Sequence, residues 1–239
     1  MQFYFIRHAQ SMNNLLYDTG ASRFERSHDP ELSQPGREQA QVLARFLCRT
    51  GSPRLSNGRD DYNAAGFGIT RLYTSLMVRA VATGTVVAQA LNLPLVGWQD
   101  LHESGGLYLE DERTEERVGQ CGPNRAFFER HYPRLVLPDS CDDVGWWNRP
   151  FEEHDQAMAR ARRFLTELLE RHGRSDDRVA VISHGDFYNC VLRTLFQIEK
   201  AVGWFDLNNA GITRMDFEKE KFRLVYANRV EFLSPELVT

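Results

Sequence analysis

The sequence predicts an α/β fold, a three-layer α/β/α sandwich with a mostly parallel central sheet and a long lid insertion. Three observations support this prediction. Apolar strand-like runs alternate with helix-like segments along the chain, which favours a parallel sheet. The continuous apolar run at residues 179–182 is typical of a central strand buried on both faces. Two late strand-like runs are joined by the charged turn 218–221, which indicates a hairpin. A chain of 239 residues is expected to form a single domain over residues 1–239.

The first part of the chain begins with a strand-like run at residues 3–6, and the polar, glycine-containing residues 15–31 are expected to form a loop. Ser33 is the N-cap candidate of the first long helix, which carries Pro35 in its first turn. Apolar residues then recur at helical spacing and predict one buried face. The next predicted elements are a loop over 51–68, a strand at 72–75, a helix with Ala80, Val87, Ala88 and Leu91 on its inner face, and a strand at 95–98.

The segment from Ser104 to Phe151 interrupts the alternation, and insertions this long are usually functional. We expect it to cover the active-site pocket and to set specificity. Within it, the charged run 110–117 is interpreted as a solvated helix face, and Trp146 and Trp147 as residues that anchor the loop in a core. The predicted elements after it are a helix over 152–172 that Gly173 ends, the strand at 179–182, a helix that continues after Gly185, and strands at 212–217 and 222–227.

Composition narrows the class of protein. The chain is 42% hydrophobic and 26% charged, as in a soluble globular protein, and its formal net charge of −4 does not indicate a nucleic-acid-binding surface. No apolar run approaches the roughly 18–20 residues that span a bilayer. The first strand begins so early that it leaves no room for a signal peptide, so a cytoplasmic location is expected.

The four cysteines lie far apart and include no Cys-x-x-Cys pair, so the sequence does not predict a zinc site. Cys48 and Cys190 fall on helical apolar faces and are interpreted as core thiols. Cys121 and Cys141 flank a loop-rich segment, where a disulfide remains open and free thiols are favoured.

Three predicted strands each end in residues that suit a phosphate. The first delivers Arg7 and His8, the second leads through Ser75 to Arg79, and the run 179–182 leads to His184. Ligands of open α/β sheets bind at the carboxyl ends of the strands, so these groups are expected to converge. Arginine guanidinium groups bind phosphate oxygens in pairs, and helix N-termini that follow the second and third strands add backbone N–H groups.

In this order, the motifs resemble those of the histidine phosphatase superfamily, in its phosphoglycerate-mutase-like family. The opening motif is Arg-His-Ala-Gln-Ser-Met-Asn-Asn at residues 7–14. The remaining matches are the acid loop Leu-His-Glu at 101–103 and Ser-His-Gly at 183–185, together with two longer patterns. Those patterns are Asp29, Leu32, Ser33, Gly36, Gln39 and Ala40, and Ser75, Arg79, Ala80 and Thr83.

This resemblance implies a role for each matching residue. His8 is the expected nucleophile, which forms a phosphohistidine. Arg7, Arg79 and His184 are expected to hold the phosphoryl oxygens, and Asn14 to contact the phosphate. Glu103 would protonate the leaving alkoxide and then deprotonate the attacking water. No metal and no cofactor are implied. Ala9 stands where the family usually has glycine, which requires a negative φ at this position.

The resemblance leaves the reaction open between three classes: a phosphatase, a cofactor-dependent phosphoglycerate-type mutase, and a non-catalytic protein that binds phosphorylated ligands. No lysine lies between Glu103 and Ile198, and the acidic residues after Glu103 would repel a bisphosphorylated acid, so hydrolysis is favoured. The expected substrate is a small phosphorylated metabolite.

Other charged residues of the chain receive provisional interpretations. Five arginines of the insertion are candidates for gripping a second anionic group: Arg113, Arg117, Arg125, Arg130 and Arg134. The remaining histidines are interpreted as surface or capping residues: His28, His102, His131, His154 and His172.

Overall fold

The computed structural model describes residues 1–51, 60–200, 203–219 and 221–239. Its strands in these ranges are β1 (Gln2–Arg7), β2 (Arg71–Thr74), β3 (Leu95–Gly97), β4 (Tyr108–Glu110), β5 (Arg117–Gly119), β6 (Leu135–Val136), β7 (Arg178–Ser183), β8 (Ile212–Glu218) and β9 (Lys221–Arg229). Its α-helices there are α1 (Met12–Asp18), α2 (Gln34–Cys48), α3 (Val78–Leu91), α4 (Arg125–His131), α5 (His154–His172) and α6 (Gly185–Leu195).

The central sheet has the order β6-β3-β2-β7-β1-β8-β9. The strands from β6 to β1 pair in parallel, whereas β8 and β9 pair antiparallel at the other edge. The predicted fold class, a mostly parallel sheet with a late hairpin, is therefore confirmed. In this order β7 lies between β1 and β2, so the carboxyl ends of all three strands lie side by side at one edge of the sheet.

Helices cover both faces of the sheet because its central strands are apolar on both sides. Phe3 and Phe5 of β1 pack into the cluster that also contains Phe164 of α5 and Phe187 of α6. The alternate β1 residues, Tyr4 and Ile6, pack into the cluster under α2 and α3. The strand period of two thus gives β1 two buried faces, as expected for a strand in the middle of a three-layer sandwich.

The predicted helix starts and stops agree with the structure. The Ser33 hydroxyl accepts a hydrogen bond from the Gly36 N–H and caps α2, with Pro35 in the first turn. Gly173 is the C-cap of α5. Part of the predicted loop at 51–68, and Glu220 in the predicted turn at 218–221, lie outside the described residues.

The prediction of a loop over 15–31 is wrong for residues 15–18, which belong to a helix. Residues 12–18 form α1, because Ser11 caps this helix in a reciprocal capping box with Asn14. A 3-10 turn at Arg23–Glu25 follows it.

The prediction of a solvated helix face over 110–117 is also wrong. This run is the turn of the β4-β5 hairpin: Asp111 Oδ1 accepts hydrogen bonds from the N–H groups of Arg113 and Thr114. Glu115 adopts a φ of 57°, which a helix does not permit. Short Asp-centred hydrogen bonds of this kind compete with helix formation.

Most of the insertion packs against the rest of the domain. Its strand β6 joins the edge of the sheet beside β3, and its Trp146 and Trp147 are buried with Leu107 and Phe128. The interpretation of the two tryptophans as anchoring residues is confirmed.

The structure contradicts one interpretation of a thiol and one of a histidine, and it confirms the interpretation of a second thiol. Cys48 is exposed at the end of α2, so it is not a core thiol, whereas Cys190 is buried, and all four cysteines are free. His172 is buried, so it is not a surface residue. The Tyr73 hydroxyl lies 2.9 Å from its Nε2, and Asp177 Oδ2 lies 2.9 Å from its Nδ1.

In the described ranges, none of the helices combines the length and the apolar character needed to cross a membrane.

Candidate active site

His8 follows the last residue of β1 and is buried, with 3% of its surface exposed. Its Nδ1 lies 2.7 Å from the Ala9 carbonyl oxygen, and a carbonyl can only accept, so Nδ1 carries the proton of the neutral ring. The other nitrogen, Nε2, then carries a lone pair, and it accepts a hydrogen bond of 3.1 Å from Arg79 Nε. His8 is therefore held in the tautomer that a nitrogen nucleophile needs.

Burial lowers the pKa of His8 well below its usual value, and the positive charges of Arg79 and Arg7 lower it further. The ring is consequently neutral at neutral pH. Neutrality matters here because a protonated imidazole has no lone pair with which to attack phosphorus.

His184 lies next to His8, with a distance of 5.0 Å between the two ring centroids. Its Nε2 is 2.8 Å from the hydroxyl of Ser75, which follows β2, so the ends of β7 and β2 are joined through this pair. Burial, then Arg79 and His8, lower its pKa well below the usual value. Its Nδ1 is buried without a hydrogen-bond partner among the described residues.

Arg79 is buried in the first turn of α3. Its Nη1 lies 3.8 Å from Asp29 Oδ1, and the same oxygen accepts a hydrogen bond of 3.0 Å from the Val78 N–H. Burial lowers the pKa of Arg79 and raises the pKa of Asp29 to about 7. Asp29 thus orients Arg79, which gives this position of the motif a physical role.

Arg7 is the last residue of β1 and directly precedes His8. Its Nη1 donates a hydrogen bond of 2.6 Å to the Leu207 carbonyl, while its Nε is buried and unpartnered within the described part of the chain. Burial lowers the pKa of this guanidinium, and the negative charge of Glu103 opposes that effect. A buried donor of this kind is suited to an anionic ligand.

The segment after His8 is fixed by residues of the second and third motifs. Thr83 Oγ1 accepts a hydrogen bond of 3.1 Å from the Ala9 N–H, and Gln39 Oε1 accepts one of 2.7 Å from the Gln10 N–H. Gly36 is required because a Cβ at this position would lie 1.9 Å from the Gln10 carbonyl oxygen. Ala9 does not adopt a positive φ, so the residue that replaces the usual glycine fits without strain.

Asn14 is linked to the same segment. Its Oδ1 accepts hydrogen bonds from the Ser11 N–H at 3.0 Å and from Asn209 Nδ2 at 3.4 Å. Asn209 Nδ2 also lies 3.1 Å from the His8 carbonyl oxygen. Sequence reasoning missed Asn209, because no motif of the chain signals a buried amide that joins the two.

Glu103 is held in the site by hydrogen bonds from backbone N–H groups. Oε1 accepts from Ser104 at 2.9 Å and from Phe187 at 2.8 Å, and Oε2 accepts from Asp186 at 3.3 Å. Two of these donors belong to the first turn of α6, directly after His184. Glu103 therefore lies at the N-terminus of this helix, where a negative charge is favoured.

The interpretation of His102 as a surface or capping residue is wrong, since it is 2% exposed. Its Nδ1 lies 2.9 Å from the Glu103 carbonyl oxygen. Arg160 is also buried and donates hydrogen bonds of 2.8 Å to the His102 carbonyl and 2.6 Å to Glu152 Oε2. Burial and the charge of Arg160 lower the pKa of His102 well below its usual value. This buried group holds the segment that carries Glu103.

Asp186 is a further acidic residue of the site that sequence reasoning missed. It is two residues after His184, in the first turn of α6. The negative charge of Glu103, and then burial, raise the pKa of Asp186 to about 7, whereas Arg7 and Arg79 oppose the shift. Its position just beyond a matched motif is the only signal of it that the sequence contains.

Two cavities share Glu103 and Asp186 in their walls. The larger, of about 660 Å³, also contacts Arg7 and Trp204, and the smaller, of about 150 Å³, also contacts Arg79. None of the five arginines that we proposed in the insertion lines either cavity, so that expectation is wrong. The cations at the smaller cavity come instead from the segment before α2, and they are Arg23 and Arg26.

The insertion contributes to the site mainly through its beginning. Ser104, Gly106, Tyr108, Leu109 and Glu110 line the smaller cavity. Arg117 forms an ion pair of 3.5 Å with Glu110 but does not itself line the cavity. The part of the insertion that touches the pocket is thus the approach to β4 and the strand itself.

Comparison with known proteins agrees with this geometry. The family model described as "Histidine phosphatase superfamily (branch 1)" matches residues 61–230. The match includes Arg79, Glu103 and His184 and leaves out the segment with Arg7 and His8, which the fold brings to the same place.

Individual proteins match over nearly the whole chain. "Putative phosphoserine phosphatase 2" of Hydrogenobacter thermophilus is 22% identical over 237 residues, which are 96% of each chain. A solved mycobacterial glucosyl-3-phosphoglycerate phosphatase is 19% identical with a TM-score of 0.59, over 96% of this chain and 99% of its own. Phosphoserine phosphatase from Entamoeba histolytica, in complex with 3-phosphoglyceric acid, is 18% identical with a TM-score of 0.57, over 98% and 99%.

The two solved structures show that the chain shares their fold. The family match, which extends over more than half of the sequence, shows the relationship itself. The chain therefore belongs to the histidine phosphatase superfamily, branch 1.

Proposed function

We propose that the protein is a phosphoric monoester hydrolase that cleaves a small phosphomonoester through a phosphohistidine at His8. The observation that carries this proposal is the tautomer of His8. Its Nδ1 faces a carbonyl and its Nε2 holds a lone pair beside the Arg79 guanidinium. A neutral imidazole with this nitrogen directed towards cations is suited to attack a bound phosphoryl group.

The buried cations would bind the phosphoryl oxygens. The charges of Arg79 and Arg7 both act on His8, and His184 offers an Nδ1 that has no partner in the described part of the protein. For Asn14, Oδ1 is engaged in the α1 cap, so Nδ2 is the atom available to donate to the phosphate. Because the arginines supply the positive charge that a transferring phosphoryl group requires, we propose that the reaction needs no metal.

The reaction would proceed in two displacements. In the first, the His8 Nε2–P bond forms while the bond from phosphorus to the ester oxygen breaks, and this oxygen takes a proton from a carboxyl group of the site. In the second, water gives a proton to a carboxylate while its oxygen bonds to phosphorus and the N–P bond breaks. By sequence, Glu103 is the expected carboxyl group for both proton transfers.

Hydrolysis fits the site better than a mutase reaction does. Glu103 lines both cavities and Glu110 lines the smaller one, and their negative charge opposes the second phosphate that a bisphosphorylated acid would carry. The names of the relatives, phosphoserine phosphatase and glucosyl-3-phosphoglycerate phosphatase, support a small phosphorylated metabolite as the substrate.

The test is phosphate release from p-nitrophenyl phosphate and from a panel of sugar phosphates, phosphorylated acids and nucleotides. We expect turnover in the presence of EDTA, an acid-labile phosphoryl adduct on His8, and loss of both in His8→Ala. The matched control is His131→Ala, which changes an exposed histidine of α4. Equal activity in His8→Ala and in His131→Ala would refute the role of His8, and dependence on an added metal would refute metal independence.

A further inference from the structure

Glu103 is held in place by hydrogen bonds from the backbone. All of its bonds to the first turn of α6 and to Ser104 come from backbone N–H groups, which can only donate. A carboxylate accepts such bonds with both oxygens, whereas a protonated carboxyl would place its own hydrogen against one of these donors. The helix N-terminus adds a partial positive charge on the same side. Both oxygens of Glu103 are therefore engaged with the backbone, one of them with two donors.

Asp186 has the complementary environment. It follows Gly185 in the same first turn, and its own backbone N–H donates to Glu103 Oε2, so the two acidic residues lie side by side. It lines both cavities. Two neighbouring carboxyl groups do not both ionise at low cost, and the one with fewer donors retains the proton. The raised pKa of Asp186, about 7, is consistent with this division.

We propose that Asp186 is the general acid that protonates the leaving oxygen, and that Glu103, held beside it by backbone N–H donors, accepts the proton of the attacking water. This inference rests on the proposed function of the site. It assigns to two residues the proton transfers that the sequence assigns to Glu103 alone.

The proton count closes over one turnover. The Asp186 carboxyl gives its proton to the ester oxygen as that oxygen leaves phosphorus, which produces the free alcohol and leaves Asp186 ionised. Glu103 takes a proton from the incoming water as the new O–P bond forms and the N–P bond breaks. Transfer of this proton from Glu103 to Asp186 restores the starting state, so no additional reactant is needed.

Several other charged groups lie around Asp186 and influence its pKa. Arg7 and Arg79 favour its ionised form, and Glu103 opposes it. The remaining titratable or charged residues on the walls of the two cavities are Tyr17, Arg23, Arg26, His28, Tyr108, Glu110 and Asp206. Cys190 of α6 also interacts with the charge of Asp186.

The decisive experiment compares Asp186→Asn with Glu103→Gln on two phosphomonoesters of the same enzyme. An alkyl phosphate has a poor leaving group that needs a proton, whereas p-nitrophenyl phosphate leaves as a stable phenolate. General acids typically contribute about 10²–10⁴-fold, so we expect Asp186→Asn to lower kcat/KM for the alkyl phosphate by roughly 100-fold or more. For p-nitrophenyl phosphate, we expect a loss of less than about 10-fold.

Glu103→Gln should act differently. Because the acceptor of the water proton is gone, hydrolysis of the phosphohistidine should slow, so kcat should fall to a similar degree for both esters and the phosphohistidine should accumulate. If Glu103→Gln gives the leaving-group-dependent loss and Asp186→Asn does not, Glu103 is the acid and the inference is wrong.

The pH profile provides an independent readout. In the wild type, kcat/KM for the alkyl phosphate should fall above pH about 7, as the acid deprotonates. This fall should be absent in Asp186→Asn and shifted but present in Asp186→Glu. An unchanged fall in Asp186→Asn would overturn the inference.

Two controls separate this inference from its premise. Asp155→Asn is a matched change of an exposed aspartate in the first turn of α5, and it should leave both substrates and the pH profile unaffected. If the wild type hydrolyses neither ester, or if His8→Ala retains activity, the proposed function itself fails. If the wild type and its phosphohistidine behave as proposed but Asp186→Asn treats both esters alike, only the role of Asp186 fails.

Discussion

The substitution Gly36→Ala tests how the second motif positions His8, the proposed nucleophile. A Cβ on residue 36 would lie 1.9 Å from the Gln10 carbonyl oxygen, whereas Cβ atoms do not approach other atoms closer than 3.0 Å. Either α2 or the Gln10 backbone must therefore move by roughly 1 Å, a displacement that at an active site costs about 100-fold in rate. The Gln10 backbone cannot relax freely, since its N–H is bound to Gln39 and its carbonyl oxygen to the Ser33 N–H.

Two effects on stability oppose each other in this variant. Alanine is favoured over glycine inside a helix by about 1 kcal/mol, and less than this in a first turn. Overpacking a tight contact costs about 1–3 kcal/mol, so the clash outweighs the helix preference. We expect a melting temperature lower by roughly 2–6 °C and a value of kcat/KM lower by about 100-fold, because Gln10 is two residues from His8.

The assay is hydrolysis of p-nitrophenyl phosphate at several concentrations, together with thermal unfolding followed by circular dichroism. Gly203→Ala is the matched control, since a Cβ there meets no atom within 4 Å. If Gly36→Ala retains wild-type kcat/KM and stability while folding normally, the argument that Gly36 fixes the segment after His8 is refuted.

Three further predictions concern other parts of the structure. Thr83→Val removes the acceptor of the buried Ala9 N–H, so the free energy of unfolding in urea should fall by about 1–3 kcal/mol, and Thr83→Ser should restore most of it. Asp29 has a pKa of about 7 in the folded chain against a usual 3.8, so the folded state binds its proton more tightly. Its contribution to stability should therefore decline as the pH rises from about 4 to 7, and Asp29→Asn should flatten this part of the stability profile; an unchanged slope would contradict the assignment. Finally, a maleimide should modify Cys48 and Cys121 rapidly in the native protein, whereas Cys141 and Cys190 should react only after unfolding, as peptide mass spectrometry would show.

The sequence was sufficient to predict the fold class and the convergence of the residues at the strand ends. Both depend on local patterns: apolar runs define the strands, and the carboxyl ends of parallel neighbours share one edge of the sheet. His8 and His184 are far apart in sequence, but β1 and β7 are adjacent and pair in register. Knowing which strands are parallel was therefore enough to bring them together. Their chemical roles remain predictions.

The sequence could not reveal properties that depend on distant partners. The sequence around His102 indicates a surface residue. In the fold, His102 is buried by contacts with Arg160, Trp146 and Trp147. Asp186 gains its raised pKa from Glu103, a residue that another loop brings beside it. In the same way, the sequence does not show that the five arginines proposed in the insertion are absent from the walls of the two cavities.

The place of β1 in the sheet has a consequence for how the protein is made. β1 pairs with β7 and β8, so both of its neighbours are encoded more than 160 residues later. At a synthesis rate of about 5–20 residues per second, the apolar run before His8 is synthesised roughly 10–30 s earlier than either of its neighbouring strands. During this time Phe3–Ile6 is an unpaired aromatic strand open to incorrect association. The segment that would make the enzyme reactive is thus translated well before the two strands that pair with it.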